Sequence, residues 1–131
     1  MTMQHNKELE EGTKFTPGFN SDGLIPAVAS DYATGGLLMV AWMNQHALDE
    51  TLRTGFAHFW SRSRQKLWQK GEESGNTLQV REMRTDCDQD VLWLRVDVNG
   101  NGNACHTNRR TCFYRVISTD GNSIALELTN D

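Results

Sequence analysis

Cysteines, long apolar runs and excess basic charge are all scarce in this sequence, and each scarcity argues against a class of protein. The 131 residues contain three cysteines, an odd number that favours free thiols or metal ligands over a disulfide framework. No apolar run approaches the roughly 20 residues that cross a bilayer, and acidic residues interrupt the polar N-terminus where a secretory signal would lie. The net charge of −4 lacks the basic excess typical of nucleic-acid binders. We therefore expect a cytoplasmic protein that binds neither membrane nor nucleic acid.

The sequence predicts one domain preceded by a polar leader. Residues 1–20 carry charge, glycine and proline without a sustained period, whereas residues 21–131 contain apolar runs bounded by turn residues. Many short strand patterns beside a single clear helix pattern indicate an α+β fold, mainly antiparallel β-sheet with one or two short helices. Strands are predicted over residues 24–30, 37–43, 56–61, 78–83, 91–98, 112–117 and 123–128.

Periodicity and end signals predict which residues of the helix and of one strand are buried. Asn44 is a typical helix N-cap and Gly55 a typical helix stop, so residues 45–54 are predicted to form the helix. In the strand over residues 91–98, alternate apolar residues are expected to face the core. The apolar stripe of the helix would consist of Ala47, Leu48 and Leu52.

Three aspartates alternate with other residues over positions 86–90 and form the densest cluster of candidate ligands. In a straight strand they would share a face opposite Cys87, but the outer two would lie roughly 13 Å apart, so the backbone must bend if all three bind one ion. Carboxylates suit a hard cation such as Mg²⁺ or Ca²⁺. Val91 stands where an EF-hand requires glycine, which excludes that motif, while a solvated acidic turn remains an alternative. The three residues are Asp86, Asp88 and Asp90.

A second candidate metal site involves the cysteines. Cys105 and Cys112, separated by six residues and with His106 beside the first, suit a soft metal such as Zn²⁺. Cys87 is a possible third thiolate, and a three-cysteine site would leave a fourth position for water, as catalytic zinc sites do. Two alternatives stay open: three unrelated thiols, or a structural site in which His106 is the fourth ligand.

Two stretches are locally basic in this net-acidic chain. Residues 61–70 and 98–119 contain no carboxylate but several arginines or lysines, and residues 71–76 form a glycine-flanked loop that could add backbone donors. Together they predict binding of anions such as phosphates. The candidate contacts to a small phosphorylated molecule are Arg62, Arg64, Lys70, Ser74 and Arg109.

Taken together, these motifs resemble those of the phosphoribosyl-AMP cyclohydrolase family of histidine biosynthesis. The similar blocks run in order over residues 24–31, 34–44, 59–68, 70–76, 86–90 and 104–115. Asn108 stands where a glycine is expected after Cys-His-Thr, and asparagine is the next-best residue for a positive φ. The polar leader has no counterpart in the core pattern of the family.

The resemblance implies an activity and a set of cofactors. Members of the family hydrolyse the N1–C6 bond of the adenine ring in 1-(5-phosphoribosyl)-AMP, which gives a formimino-carboxamide ribotide. A monofunctional homodimer is implied, without the pyrophosphohydrolase domain that some relatives carry. The implied ligands are Cys105, Cys112 and Cys87 of the partner subunit for zinc, and Asp86, Asp88 and Asp90 for magnesium.

The chemistry of that reaction suggests roles for further residues. Alkylation of N1 makes C6 electrophilic, and zinc can lower the pKa of a bound water from 15.7 toward about 7. Because three thiolates weaken that effect, a base would help, and His106 is expected to be the general base and later the proton donor. Trp60 and Trp68 are expected either to stack on the purine or to pack in the core.

Two other functions fit parts of the sequence. Zinc nucleoside deaminases also attack a base with activated water, but they use an H/C-x-E motif with P-C-x-x-C, and neither is found here. A zinc-stabilised RNA-binding module without catalysis would use the tryptophans and arginines, and the net charge of −4 disfavours it. Ring opening without ammonia release would distinguish the cyclohydrolase from the deaminase. Loss of the fold on zinc removal, with no turnover, would favour the module.

Overall fold

The computed structural model describes residues 6–130, and these form the predicted α+β fold with two helices and mainly antiparallel strands. None of the helices in this part of the chain is long and apolar enough to cross a membrane. The elements are α1 (Lys7–Glu11), β1 (Ile25–Asp31), β2 (Leu37–Met43), α2 (Gln45–Thr54), β3 (His58–Ser61), β4 (Lys66–Gln69), β5 (Leu78–Thr85), β6 (Leu92–Val98), β7 (Arg115–Asp120) and β8 (Ser123–Leu128).

A four-stranded sheet with the order β2-β1-β6-β5 forms the centre of the fold. β1 pairs antiparallel with β2 and parallel with β6, and β6 pairs antiparallel with β5. Two separate antiparallel hairpins, β3–β4 and β7–β8, complete the strand pairing. The β3–β4 hairpin and α2 pack against each other and beside β2, so they extend one edge of the sheet.

One face of the sheet holds the hydrophobic core. Leu92, Leu94 and Val96 are at most 1% exposed, which confirms the alternation predicted for this strand. They belong to one cluster with Leu48 from α2 and Phe59 from β3. Full burial of a side chain of this size stabilises a fold by about 1.5–3 kcal/mol, so this cluster is the main source of stability.

Helix α2 has the predicted ends but a different buried face. The side-chain oxygen of Asn44 accepts a hydrogen bond from the Ala47 amide at 2.9 Å, and Gly55 adopts the left-handed conformation with φ of 81°. The prediction that Leu52 is buried is wrong, because this side chain is 58% exposed. Thr51 lies one turn after Ala47 on the packed face, and its hydroxyl donates to the Ala47 carbonyl at 2.8 Å.

Two strands differ from the sequence prediction. β4 was not predicted, because its residues lie within the basic stretch and alternate poorly in polarity. The strand predicted over residues 112–117 begins only at Arg115, because Cys112 is hydrogen-bonded to β2 instead: its amide donates to the Leu38 carbonyl at 2.8 Å. This bond places Cys112 beside the central sheet.

The N-terminal segment contains α1 and contacts the turn at residues 86–90. Asn6 caps α1, and its side chain accepts a hydrogen bond from the Leu9 amide at 3.1 Å. The amides of Thr16 and Gly18 both donate to Gln89, at 2.7 and 2.6 Å. The division into a leader over residues 1–20 and a domain over residues 21–131 stays a prediction, and residues 1–5 lie outside the described part.

Candidate active site

A cleft of about 760 Å³ opens between β2, the β3–β4 hairpin and the loops that follow β4 and β6. Its size is within the range of roughly 300–1,000 Å³ that is usual for small-molecule sites. The structure brings residues singled out from three separate motifs into its walls. These are Trp60, Arg64, Lys70, Ser74, Cys105 and His106.

Two other arginines named as candidate contacts do not line this cleft. The guanidinium of Arg62 lies 5.0 Å from the ring centre of Trp42, which does line the cleft. The guanidinium of Arg109 lies 4.2 Å from the ring centre of Tyr114. Both arginines therefore make cation–π contacts with their own chain, and their contact with a substrate stays a prediction.

The two tryptophans of the β3–β4 hairpin both line the cleft but differ in their surroundings. Trp68 packs against the buried ring of Phe59, with 5.1 Å between ring centres, and joins the edge of the core. Trp60 is half-buried and is not part of that cluster. Trp68 thus has a packing role, and Trp60 is the better placed of the two to stack on a base.

The rim of the cleft is organised by Asn76, which the sequence places in the glycine-flanked loop without showing its side-chain contacts. Its side-chain amide donates to the Asn103 carbonyl at 3.0 Å, and its side-chain oxygen accepts from the Asn101 amide at 3.1 Å. A Cβ on Gly100 would lie 2.0 Å from that oxygen, so only glycine allows the approach. Asn-Gly repeats signal turns but not their partners, which is why the sequence alone did not show this contact. Trp42 and Lys66 are two cleft residues that were missed.

Cys105 and Cys112 lie in hydrogen-bonding contact, with Cys105 buried and Cys112 exposed. Burial acts to raise the pKa of the Cys105 thiol, but three neighbouring groups lower this pKa overall. They are the Thr107 hydroxyl, which donates a hydrogen bond to the Cys105 sulfur at 3.0 Å, the Cys112 thiol and the charge of Lys70. Partial desolvation and the neighbouring Cys105 raise the pKa of Cys112 to about 11. The Cys105 thiol therefore loses its proton more easily than the Cys112 thiol.

The loop that carries this pair is closed by backbone hydrogen bonds. The Cys105 amide donates to the Arg109 carbonyl, and the Asn108 amide donates to the Cys105 carbonyl, both at 3.0 Å. Asn108 has φ of 64°, which confirms that it adopts the positive φ expected at a glycine position. The tight turn leaves His106 at its exposed tip, in the wall of the cleft.

The three aspartates converge because the chain turns at residues 86–90. One carboxylate oxygen from each lies within 4.8 Å of the others, so the backbone has the bend that a shared ion requires. Asp86 fixes this turn, since its carboxylate accepts hydrogen bonds from the amides of Asp90 at 2.9 Å and Val91 at 3.1 Å. Within the described chain, the Oδ1 atom of Asp88 is buried without a hydrogen-bond partner.

Mutual repulsion makes this turn electrostatically unfavourable by itself. Hydrogen bonds and charge repulsion with Asp88 and Asp86 raise the pKa of Asp90 to about 6. Burial acts to raise the pKa of Asp86, but hydrogen bonds from the side chains of Asp90 and Asp88 and from two backbone amides lower it overall. A hard divalent cation would remove the repulsion and satisfy the unpartnered oxygen of Asp88, so these donors fit magnesium or calcium.

The two thiols are suitable ligands for zinc, but they are too few to form a zinc site by themselves. Sulfur is a preferred zinc ligand, yet in residues 6–130 no third cysteine, histidine or carboxylate comes close enough to Cys105 and Cys112 to form a group of three. His106 is therefore not a third ligand of the pair in this conformation. Cys87 is exposed on the aspartate turn, where another chain could reach it.

Comparison with known proteins agrees with the resemblance of the motifs. The profile of the phosphoribosyl-AMP cyclohydrolase family matches residues 39–114, more than half of the chain. Proteins named phosphoribosyl-AMP cyclohydrolase are similar throughout: that of Brucella canis is 56% identical over 95% of this chain and 90% of its own length. Those of Sinorhizobium medicae and Brucella anthropi are 55% and 57% identical over 98% and 93% of this chain, and 85% and 86% of their own. The chain therefore belongs to the phosphoribosyl-AMP cyclohydrolase family.

Proposed function

We propose that this protein hydrolyses the N1–C6 bond of the adenine ring in 1-(5-phosphoribosyl)-AMP and so supplies the formimino-carboxamide ribotide of histidine biosynthesis. The observation that carries the proposal is the composition of one cleft, where His106 and Cys105 share the walls with Arg64 and Lys70. A nucleotide with two phosphates needs cationic groups to bind it and a separate group to generate a nucleophile. The named activity of the relatives points to the same reaction.

Two metal ions are part of this proposal. Zinc, when bound, would act as a Lewis acid and lower the pKa of a coordinated water. The thiols are soft ligands that suit zinc, whereas the convergent carboxylates are hard ligands that suit magnesium, so each site would select a different metal. The ligands would be Cys105, Cys112 and Cys87 of the partner subunit for zinc, and Asp86, Asp88 and Asp90 for magnesium.

His106 would move the proton in this reaction. It directly follows Cys105, and its exposed side chain lines the cleft while Thr107 holds the thiol. Its imidazole would accept a proton from the attacking water and return it to N1 as the bond to C6 breaks. Histidine is the usual side chain for such a transfer near neutral pH.

The phosphates would bind to the basic side of the cleft. Arg64, Lys66 and Lys70 all line it, and Ser74 adds a hydroxyl at the glycine-flanked loop. Arginine supplies directed pairs of donors for a phosphate, whereas lysine acts as a point charge. Trp60 lies in the same wall and would stack on the base.

The β7–β8 hairpin supports a homodimer. Its register places Ile117 opposite Leu126 and Thr119 opposite Ile124, so the large aliphatic side chains share one face. Within residues 6–130, no helix or other strand packs extensively on this hairpin. A lone two-stranded hairpin is marginal in water, and an exposed apolar face of this size marks an interface. The exposed fractions are 70% for Ile117, 77% for Ile124, 54% for Leu126 and 67% for Leu128.

The hairpin offers a matched pair of variants for testing the dimer. Ile117→Lys puts a charge on the apolar face, whereas Val116→Lys puts the same charge on the opposite face of the same strand. In sedimentation experiments, we expect Ile117→Lys to be monomeric at concentrations where the wild type and Val116→Lys are dimeric. Equal sedimentation of the two variants would contradict the assignment of this face to the interface.

The compartment follows from the proposed ligands. All three cysteines are free thiols, and thiolate ligands persist where the environment is reducing. The net charge of −4 offers no general attraction to nucleic acid. The proposal therefore places the enzyme in the cytoplasm, with a small nucleotide as its substrate.

The proposed function is tested by metal analysis combined with an ultraviolet assay of purine ring opening. We expect the purified protein to contain zinc and to open the ring of 1-(5-phosphoribosyl)-AMP without releasing ammonia. Removal of the metal should abolish turnover, and zinc should restore it. Release of ammonia would indicate a deaminase instead, and turnover by protein free of transition metal would contradict the zinc-dependent reaction.

A further inference from the structure

We infer that the N-terminal segment, residues 9–18, holds the aspartate turn in its ligand-binding shape through the side chain of Gln89. The inference rests on the proposed magnesium site and assigns a task to a segment that the proposed reaction does not use. Gln89 lies between Asp88 and Asp90 and is 5% exposed. It would be a positioning residue, because it supports the ligands and is not among the residues that line the cleft.

The side chain of Gln89 is almost fully used in contacts with the N-terminal segment. Its amide oxygen accepts a hydrogen bond from the Thr16 amide at 2.7 Å. Its amide nitrogen donates to the carbonyls of Leu9 at 3.1 Å and Lys14 at 3.2 Å. Each partner is a backbone atom more than 70 residues away in sequence, so these bonds tie two distant parts of the chain together.

The backbone of Gln89 explains why the turn needs this support. Gln89 has φ of 58°, a left-handed conformation that residues other than glycine adopt unwillingly. That conformation is part of the turn that brings the flanking carboxylates of Asp88 and Asp90 together. Like charges in this position repel, so contacts outside the turn must help to hold it.

Close packing reinforces the contact from the other side. The Gly18 amide donates to the Gln89 carbonyl at 2.6 Å. A Cβ on Gly18 would lie 3.2 Å from that carbonyl oxygen and 3.5 Å from the Cβ of Asp90. The segment thus lies directly against the turn, and Gly18→Val would push the two apart without changing the turn's own sequence.

The inference is tested with full-length Gln89→Gly, which keeps the left-handed backbone accessible but deletes the side chain. Gln45→Ala is the matched control, since Gln45 is an exposed glutamine of α2 whose amide donates to Asp49. The measurements are Mg²⁺ and Mn²⁺ affinity by calorimetry and amide exchange of residues 9–18. We expect Gln89→Gly and Gly18→Val to weaken cation binding about tenfold to a hundredfold and to accelerate exchange, and Gln45→Ala to change neither.

Three results would overturn the inference, and they separate it from the proposed function. If Gln89→Gly accelerates exchange but binds cations as the wild type does, the segment does not shape the turn. If exchange is unchanged, Gln89 does not hold the segment. If the wild type itself binds neither cation, the magnesium site fails and the inference fails with it, whereas the first two results leave the proposed function intact.

Discussion

The thiol pair and the aspartate turn both gather groups that ionise to anions, but among the described residues only the aspartates form a group of three candidate ligands. The three aspartates converge within 4.8 Å in a single chain. Among residues 6–130, Cys105 and Cys112 lie together without a third candidate ligand, while Cys87 is exposed on the aspartate turn. In the proposed function, the hard-cation site would therefore form within one chain, whereas the three-thiolate site would need a second copy.

The same contrast appears between the central sheet and the C-terminal hairpin. The sheet buries its apolar face inside the chain, as Leu94 at 0% exposure shows. The hairpin leaves its own apolar face in solvent, as Ile124 at 77% exposure shows. The proposed homodimer would account for both the thiol pair that lacks a third ligand among the described residues and the uncovered hairpin.

The largest effect is expected at the thiol pair. Cys105→Ala should lose zinc, because the remaining thiols cannot hold the ion that activates water. Turnover should fall with it, by a factor on the order of 10⁴ or more. Metal analysis and the ring-opening assay on the same preparation measure both quantities. Magnesium affinity should be unchanged, and a variant that keeps full activity without zinc would refute the role of the pair.

His106→Ala should reduce the rate while leaving the metal in place. Loss of a general base typically costs about a hundredfold to ten-thousandfold in rate. Because His106 is outside the contact between Cys105 and Cys112, zinc content should equal that of the wild type. Loss of zinc from this variant would show that His106 is a ligand, and its assignment as the base would then be wrong.

Asp88→Asn should have the reverse effect of Cys105→Ala, since it should weaken magnesium binding and leave zinc bound. It removes charge from the carboxylate whose Oδ1 has no hydrogen-bond partner among residues 6–130, so magnesium affinity should fall about tenfold to a hundredfold. Zinc content should not change, because Cys105 and Cys112 lie in a different loop and asparagine keeps the size of the side chain beside Cys87. Calorimetry with Mg²⁺ measures the first and metal analysis the second; parallel loss of both metals would mean that the two sites are not separate.

The smallest effect concerns the pH dependence of the metal-free protein. Asp88 and Asp86 raise the pKa of Asp90 to about 6 from the ordinary 3.8. Between these two pH values, the folded chain therefore holds a proton on Asp90 that the unfolded chain has released. Stability from this group therefore falls as the pH rises through that window. Asp86 contributes in the opposite sense, because its pKa is lowered. Its contribution to stability is lost only as the pH falls below the ordinary value of 3.8.

Thermal melting in chelator between pH 4 and pH 7 measures this effect. Because Asp90 is exposed, the decline should be only about one or two degrees, and Asp90→Asn should abolish it. Magnesium should abolish it in the wild type as well. An equal decline in the wild type and Asp90→Asn would show that other groups cause it.

Local chemistry explains which parts of this structure the sequence could predict. Asn44 and Gly55 mark the ends of α2 because capping and left-handed stops depend on neighbouring atoms only. The positive φ of Asn108 follows from the tolerance of asparagine for that conformation. The sequence predicts a bend at residues 86–90 only if all three aspartates bind one ion, and the structure has this bend.

The features that the sequence did not reveal depend on distant partners. Parallel pairing of β1 with β6 joins strands that are separated by most of the domain. Gln89 binds backbone carbonyls and an amide of the N-terminal segment, and backbone atoms leave no signature in the sequence. Asn76 has the sequence context of an ordinary turn residue, and its side-chain contacts are with a loop distant in sequence.

Subunit mixing tests the shared zinc site most directly. Cys87→Ala and Cys105→Ala should each be inactive alone, because every site in either homodimer lacks one thiol. After unfolding and refolding of an equal mixture, half of the dimers carry one complete site, so we predict about a quarter of the wild-type activity and a matching zinc content. Mixed protein that forms heterodimers yet remains inactive and free of zinc would contradict a site built from two chains.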